Sequence, residues 1–208
     1  MATYCQKNYP KQISQQMKKI AISMEMTRKL RDTWHAALSY EWYDFLADYN
    51  IVPLSCHGNF PDVTEFDYVI LTGGNDLEDT VTWRNNQYPE RDAFERRLIK
   101  ECAAAGVPLV GVCRGQHLLN YVEGGTHKLM DTPYDHVPVD LDLFTVYGHH
   151  SIQIDQLAPG FETLLEDKHQ VKELIINRKQ RQLGIGWHPE RILNAHTKKY
   201  IMDLINEL

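Results

Sequence analysis

Most features that would assign this chain to a specialised class are missing from it. No apolar run approaches the ~20 residues that cross a bilayer, although 43% of the residues are hydrophobic, so no membrane contact is expected. A basic excess is also absent. With 22 Lys and Arg against 28 Asp and Glu, the formal charge is −6. No basic stripe is available to neutralise phosphates, and general nucleic-acid binding is not expected. The four cysteines, Cys5, Cys56, Cys102 and Cys113, lack C-x-x-C spacing, and Cys56-His57 has no second ligand pair to make a metal site. The cytoplasm, where a thiol stays reduced, is the compartment that fits. Residues 1–16 are polar and lack the apolar segment of a signal peptide. They read as a disordered extension, and 17–208 as one domain long enough to bury a core. No repeat or low-complexity tract interrupts it.

What is present alternates between strand and helix. Met17–Ser23 reads as a first strand. Trp34–Tyr49 reads as an amphipathic helix, with Leu38, Trp42, Phe45 and Leu46 at helical spacing. Strands are predicted near Ile51–Leu54 and over 67–72, and a helix over Glu90–Ala105, stopped by Gly106 and Pro108. Cys102 falls on the apolar face of that helix with Phe94, Leu98 and Ile99. Strand-like stretches around Val137–Val146 and Val171–Asn177 suit an antiparallel extension, and a last helix is expected over Ala195–Glu207. The pattern is α/β: a mostly parallel sheet with helices on both faces and a small antiparallel extension.

Chemistry concentrates at three loops. Gly111-Val112-Cys113-Arg114-Gly115 follows a strand-like run, Val107–Val112, and precedes a helical one, His117–Val122. A strand turning sharply into a helix through two glycines lifts the central side chain into a cleft. The helix N-terminus favours the thiolate there. A base and an orienting group are then needed. Gly184-Ile185-Gly186-Trp187-His188-Pro189-Glu190 offers both, since residues two apart in an extended stretch face the same side. Alone, W-H-P-E reads equally well as a strand ending in a turn; the upstream cysteine favours chemistry. Phe66–Thr72 runs into Gly73-Gly74-Asn75-Asp76, where backbone N–H groups could meet a developing oxyanion, with the N–H of Arg114 as second donor. These loops fall at carboxyl ends of predicted parallel strands, where open α/β sheets bind ligands.

Together, L-T-G-G-N-D-L at 71–77, Y-P-E-R-D-A-F-E at 88–95, G-V-C-R-G at 111–115 and G-I-G-W-H-P-E at 184–190 resemble the class I glutamine amidotransferase superfamily. The C-R-G elbow, R-D-x-F-E and W-H-P-E look most like its free-standing γ-glutamyl hydrolases, peptidase family C26. The resemblance covers roughly residues 18–208. It implies Cys113 as nucleophile, His188 as base, Glu190 as orienting acid and a γ-glutamyl thioester intermediate, with no metal or organic cofactor. Two departures bear on substrate. The family usually has glutamine four residues after the nucleophile, where this chain has His117, with Gln116 one place early. A family V-N-S-x-H segment is matched by Val146-Tyr147-Gly148-His149-His150, without the Asn-Ser pair. His149 aligns with the family histidine, although a histidine pair in a loop is equally a solvated surface feature.

Three functions follow as expectations. The first is a stand-alone hydrolase releasing glutamate from a small γ-glutamyl amide. One form of that substrate is the γ-glutamyl nucleotide amidate used in surface-polysaccharide pathways, whose hydrolases the G-G-N-D-L and W-H-P-E-R endings resemble. The second is a glutaminase subunit passing ammonia to a partner synthase; the third is a catalytically silent binding module. The expected partners are the small molecule and, at most, a second copy forming a homodimer. Glu78–Gln87, a long polar stretch, reads as a cover for the cleft or as a plain surface loop.

Overall fold

The computed structural model describes residues 17–208 apart from 30–32, 79, 81–85 and 192–193. The expectations for residues 1–16 and for the middle of Glu78–Gln87 fall on residues outside those described. In chain order the elements are β1 (Lys19–Ser23), β2 (Glu25–Lys29), β3 (Thr33–Ala37), α1 (Glu41–Phe45), β4 (Asn50–Leu54), β5 (Tyr68–Leu71), α2 (Pro89–Ala105), β6 (Leu109–Val112) and α3 (Arg114–Val122). The second half contains β7 (Thr126–Leu129), β8 (Val137–Leu141), β9 (Phe144–Gly148), β10 (Ile152–Gln156), β11 (Glu162–Glu166), β12 (Lys172–Asn177), β13 (Gln182–Ile185) and α4 (Ala195–Glu207).

Seven strands form the central sheet in the order β11-β12-β13-β6-β5-β1-β4. Strands β13, β6, β5, β1 and β4 run parallel, while β12 and β11 add the antiparallel extension. Period-two alternation divides their apolar side chains between two cores. Ile20, Ile22, Ile70, Val110, Val112 and Ile185 pack on one face with Trp42 and Phe45 of α1 and Ile201 and Leu204 of α4. Ala21, Val69, Leu71 and Leu109 pack on the other with Leu98, Ile99 and Cys102 of α2 and Leu118 and Leu119 of α3. Gly106 ends α2 at φ 68°, the left-handed conformation that glycine tolerates best. No helix among the described residues is long and apolar enough to cross a membrane.

The helix predicted over Trp34–Tyr49 is the first expectation to fail. Trp34 does not begin a helix: it lies in β3, paired antiparallel with β2, and helix follows only over Glu41–Phe45. The physical reason lies across the cleft. Asn75 accepts from Met26 N at 2.9 Å and donates to Met26 O at 2.8 Å, as a neighbouring strand would. That anchor holds β2 extended, and β3 pairs with it. Strands β7, β10 and β11 carry no sequence prediction at all. β7 and β10 pair with each other outside the main sheet, as do β8 and β9.

Candidate active site

The β6–α3 junction is the sharp turn expected. Cys113 sits at φ 52°, ψ −107°, a conformation most side-chain-bearing residues avoid. Gly111 and Gly115 face each other across the turn so closely that a Cβ on Gly111 would overlap the Gly115 carbonyl. Register brings the other loops in. β13 lies beside β6 with Ile185 opposite Val112, and Cys113 N donates to Ile185 O at 2.7 Å. His188, three residues further along, therefore arrives next to Cys113. β5 flanks β6 on the other side and delivers Gly73. An added Cβ on Gly73 would lie 2.6 Å from His188 Cε1, 3.3 Å from its Nε2 and 3.4 Å from Cys113 Cβ.

His188 Nδ1 lies 2.7 Å from Glu190 Oε1, leaving Nε2 for the cysteine. The segment is not extended, contrary to the expectation from sequence: Pro189–Arg191 forms a single 3-10 turn that folds Glu190 back onto the imidazole. Burial works against charge at Cys113. The adjacent His188 imidazolium and its hydrogen bond outweigh that, and His150 adds to them, holding the thiol below the ordinary cysteine range. Burial likewise opposes the His188 cation, but the thiolate and Glu190 hold its pKa well above the ordinary histidine value. Both shifts run in the direction that favours a thiolate beside an imidazolium. By contrast, burial pushes Cys102 up to about 12, and also raises Cys56.

The T-G-G-N loop is anchored from behind by α2. Arg91 Nη2 donates to Thr72 O and Gly73 O, both at 2.9 Å, and Nη1 donates to Asn75 Oδ1 at 3.0 Å. Arg91 Nε donates to Glu95 Oε1 at 2.8 Å, and Arg114 pairs with the other Glu95 oxygen and with Asp92. All four charged side chains are buried.

The histidines beyond His188 are not a solvated surface pair. His150 is buried, its Nε2 3.2 Å from Glu173 Oε1 and its Nδ1 3.0 Å from Ile152 O. Burial lowers its pKa, yet Glu173 prevails and raises it. The His149 carbonyl lies 3.8 Å from Cys113 Sγ, and its ring 6.5 Å from that of His188. His117 packs edge-on against His127 and His150, and neither of its ring nitrogens has a hydrogen-bond partner among the described residues. Burial, with His127 and His150 nearby, keeps it neutral. His117, His149, His150, Asn75 and Cys113 line an inner pocket of about 40 Å³. Outside it, Arg28, Trp34, Gln87, His188 and Arg191 border an open groove of about 570 Å³ that also reaches Cys113. Among the described residues, Asp135, His136 and His149 could offer ligand atoms to a metal, all within 4.8 Å of one another, at the rim of the cleft. His57 Nε2 lies 2.7 Å from the Tyr88 hydroxyl.

Sequence reasoning missed Arg91, Asn75 and Glu173 as parts of this site. Arg91 and Glu95 stand four apart in R-D-A-F-E, which signals a helical ion pair. Nothing in that spacing says that the pair faces inward.

The peptidase C26 family model matches residues 61–138, a span that holds the glycine loop, α2 and the elbow but stops short of His188. The gamma-glutamyl-CDP-amidate hydrolase of Campylobacter jejuni is 27% identical over 190 residues, covering 85% of this chain and 94% of that protein. Two solved structures share the fold. A protein of Thermoplasma acidophilum described as a GMP synthase component superposes with a TM-score of 0.68 at 14% identity, covering 92% of this chain and 94% of that one. A glutamine amidotransferase of Thermotoga maritima gives 0.64 at 17% identity, with 92% and 84% covered.

Proposed function

We propose that this chain, a class I glutamine amidotransferase-like protein of the peptidase C26 kind, is a free-standing hydrolase that releases glutamate from a small γ-glutamyl amide. The observation that carries this reading is the two-part cleft at Cys113. A small inner pocket of about 40 Å³ adjoins Cys113, and the open groove of about 570 Å³ outside it is far larger than ammonia needs.

The Cys113 thiolate adds to the γ-carbonyl, and the resulting oxyanion accepts from the Gly74 and Arg114 N–H groups. The tetrahedral adduct collapses as His188 gives its proton to the leaving nitrogen, breaking the C–N bond and leaving a thioester. His188, now neutral, takes a proton from water as the water oxygen bonds to the thioester carbon. Collapse of the second adduct frees glutamate and restores the thiolate beside a protonated His188. Glu190 keeps the imidazole oriented and balances its charge throughout. His117 and His150 close the pocket around the acyl chain, with His149 at its mouth.

The outer groove speaks to the leaving group. Trp34 offers an aromatic face with the Arg28 guanidinium 5.5 Å from its centroid, and Arg191 borders the same groove. An aromatic face with guanidinium groups suits a base and its phosphates, consistent with a γ-glutamyl nucleotide amidate. The test is glutamate release by the purified chain, with no other protein added, across a panel including γ-glutamyl-CDP-amidate, γ-glutamyl peptides and glutamine. Turnover of a large amide well ahead of glutamine is expected. Activity confined to glutamine, and only with a synthase added, would replace this reading with the glutaminase one.

A further inference from the structure

The R-D-A-F-E segment at 91–95 has no part in the chemistry above, yet its charged side chains are among the most deeply buried in the molecule. Arg91 is 1% exposed, Asp92 and Glu95 0%, and Arg114 4%. Two arginines facing one aspartate and one glutamate balance in charge, but burying four ions is costly. Replacing such groups with well-packed apolar side chains is often neutral or stabilising. Stability alone is therefore a poor account of the cluster, and its hydrogen bonds show what else it does.

Arg91 sits behind the glycine loop and grips three of its polar positions. Nη2 reaches the carbonyls of Thr72 and Gly73 together with Thr72 Oγ1, and Nη1 reaches the Asn75 side chain. Nε is held by Glu95, whose second oxygen receives Arg114 from the elbow helix. The Gly73–Gly74 peptide is trans, so its N–H points opposite to its carbonyl. With Gly73 O drawn toward Arg91, the Gly74 N–H points away from that guanidinium, and Gly74 and Cys113 line the same inner pocket. Gly74 completes the arrangement at φ 112°, which a residue with a side chain resists. Without the guanidinium, that carbonyl keeps, among the described residues, only a long 3.5 Å contact from the Thr72 hydroxyl. The peptide could then rotate and present oxygen instead of N–H to the cleft.

We propose that Arg91 is a positioning residue that locks the Gly73–Gly74 peptide with its N–H toward Cys113, so that the oxyanion site is complete in the isolated chain. Glu95 and Arg114 couple this lock to the elbow, joining both oxyanion donors through one buried ion cluster. The proposal rests on the hydrolase reading for its consequence, and on the geometry alone for the peptide's orientation.

Arg91→Lys tests it, because an ammonium has one donor centre and cannot serve Glu95, Asn75 and two carbonyls at once. Misdirecting one oxyanion donor is expected to lower kcat by about 10²–10³-fold, with KM within threefold. Alkylation of Cys113 by iodoacetamide, which needs the thiolate but no oxyanion site, should stay within threefold of the unaltered chain. A crystal structure of the variant should show the Gly73 carbonyl turned toward the cleft. Unchanged kcat, or kcat and alkylation falling together, would overturn the proposal, the second by showing a collapsed elbow. Should the variant prove insoluble, a crystal structure of the unaltered chain soaked with a γ-glutamyl aldehyde decides it. Gly73 O on Arg91 and the adduct oxygen on Gly74 N–H support the lock; a carbonyl off Arg91 refutes it. Absence of turnover on every γ-glutamyl amide would sink the hydrolase reading instead, while the carbonyl's orientation still decides the lock.

Discussion

Gly73→Ala isolates how much the reaction depends on the fit between the glycine loop and the base. The added Cβ would lie 2.6 Å from His188 Cε1, when ordinary van der Waals contact begins near 3.4 Å. About 0.8 Å must therefore be found. The ring cannot simply retreat, because His188 is 5% exposed, its Nδ1 is tied to Glu190 at 2.7 Å, and Trp187 beside it is fully buried. No positive φ is involved at Gly73, so the effect is steric and falls on the imidazole. A displacement of that order between reacting groups costs about 10²-fold in rate. Overpacking by one methyl costs about 1–3 kcal/mol in stability. Gly106→Ala is the control: its Cβ meets nothing within 4 Å, but its φ of 68° is unfavourable. It should cost about 1 kcal/mol and leave turnover untouched. The assay is kcat for glutamate release alongside denaturant unfolding of both variants. Wild-type kcat in Gly73→Ala, or equal losses in the two, would refute the argument.

Four further outcomes are expected. Cys113 should alkylate faster than Cys56 or Cys102 at neutral pH, and Cys113→Ala should abolish turnover with the fold retained; mass spectrometry of partly labelled protein checks the order. Because its pKa is held below the ordinary value, Cys113 should stay reactive as pH falls below 9 and lose reactivity only on passing its own lowered pKa; in His188→Gln the alkylation midpoint should move up. His188→Ala should cost several orders of magnitude in kcat and Glu190→Gln less, about 10–10⁴-fold by analogy with other triads; the reverse order would contradict the roles assigned. Burial depresses His127 to about 4, so the unfolded chain binds the extra proton first as pH drops, and stability should decline from about pH 6.5 toward 4; His127→Phe should flatten that decline in pH-dependent denaturant titrations.

What can be read from the sequence is what depends on neighbours along the chain. The strand-to-helix turn at Cys113 is marked by glycines two residues away on each side, and α4 by its spacing over Ala195–Glu207. Trp34 misleads because the helical period of Leu38, Trp42 and Phe45 extends backwards into residues whose conformation is set by Asn75, far along the chain. The short strands β7, β10 and β11 have mixed polar and apolar faces, and β7 and β10 find each other only across the whole β8–β9 hairpin.

The same distinction explains why the candidate site is half legible. Cys113, His188 and Glu190 are read from local turn chemistry, and the sheet register brings them together. His150 and Arg91 are ordinary in their local sequence: one of two histidines in a loop, and one arginine in a helix of mean polar character. Only burial separates them. His150 lies against Glu173 from β12, and Arg91 against a loop that leaves β5, so each acquires its charge environment from an element with no sequence link to it. The departure at His117 belongs to the same class. In this chain a neutral imidazole with no partner for either nitrogen among the described residues stands at the position to which the sequence resemblance assigns a glutamine, between His127 and His150 and beside the inner pocket. A neutral imidazole has one donor and one acceptor, where an amide has two donors and an acceptor oxygen. Leaving such a group unpaired costs free energy that a bound acyl chain could recover. His117→Gln should therefore change KM for the glutamyl substrate more than kcat. A selective fall in kcat would instead move His117 from binding the acyl chain to assisting its transfer.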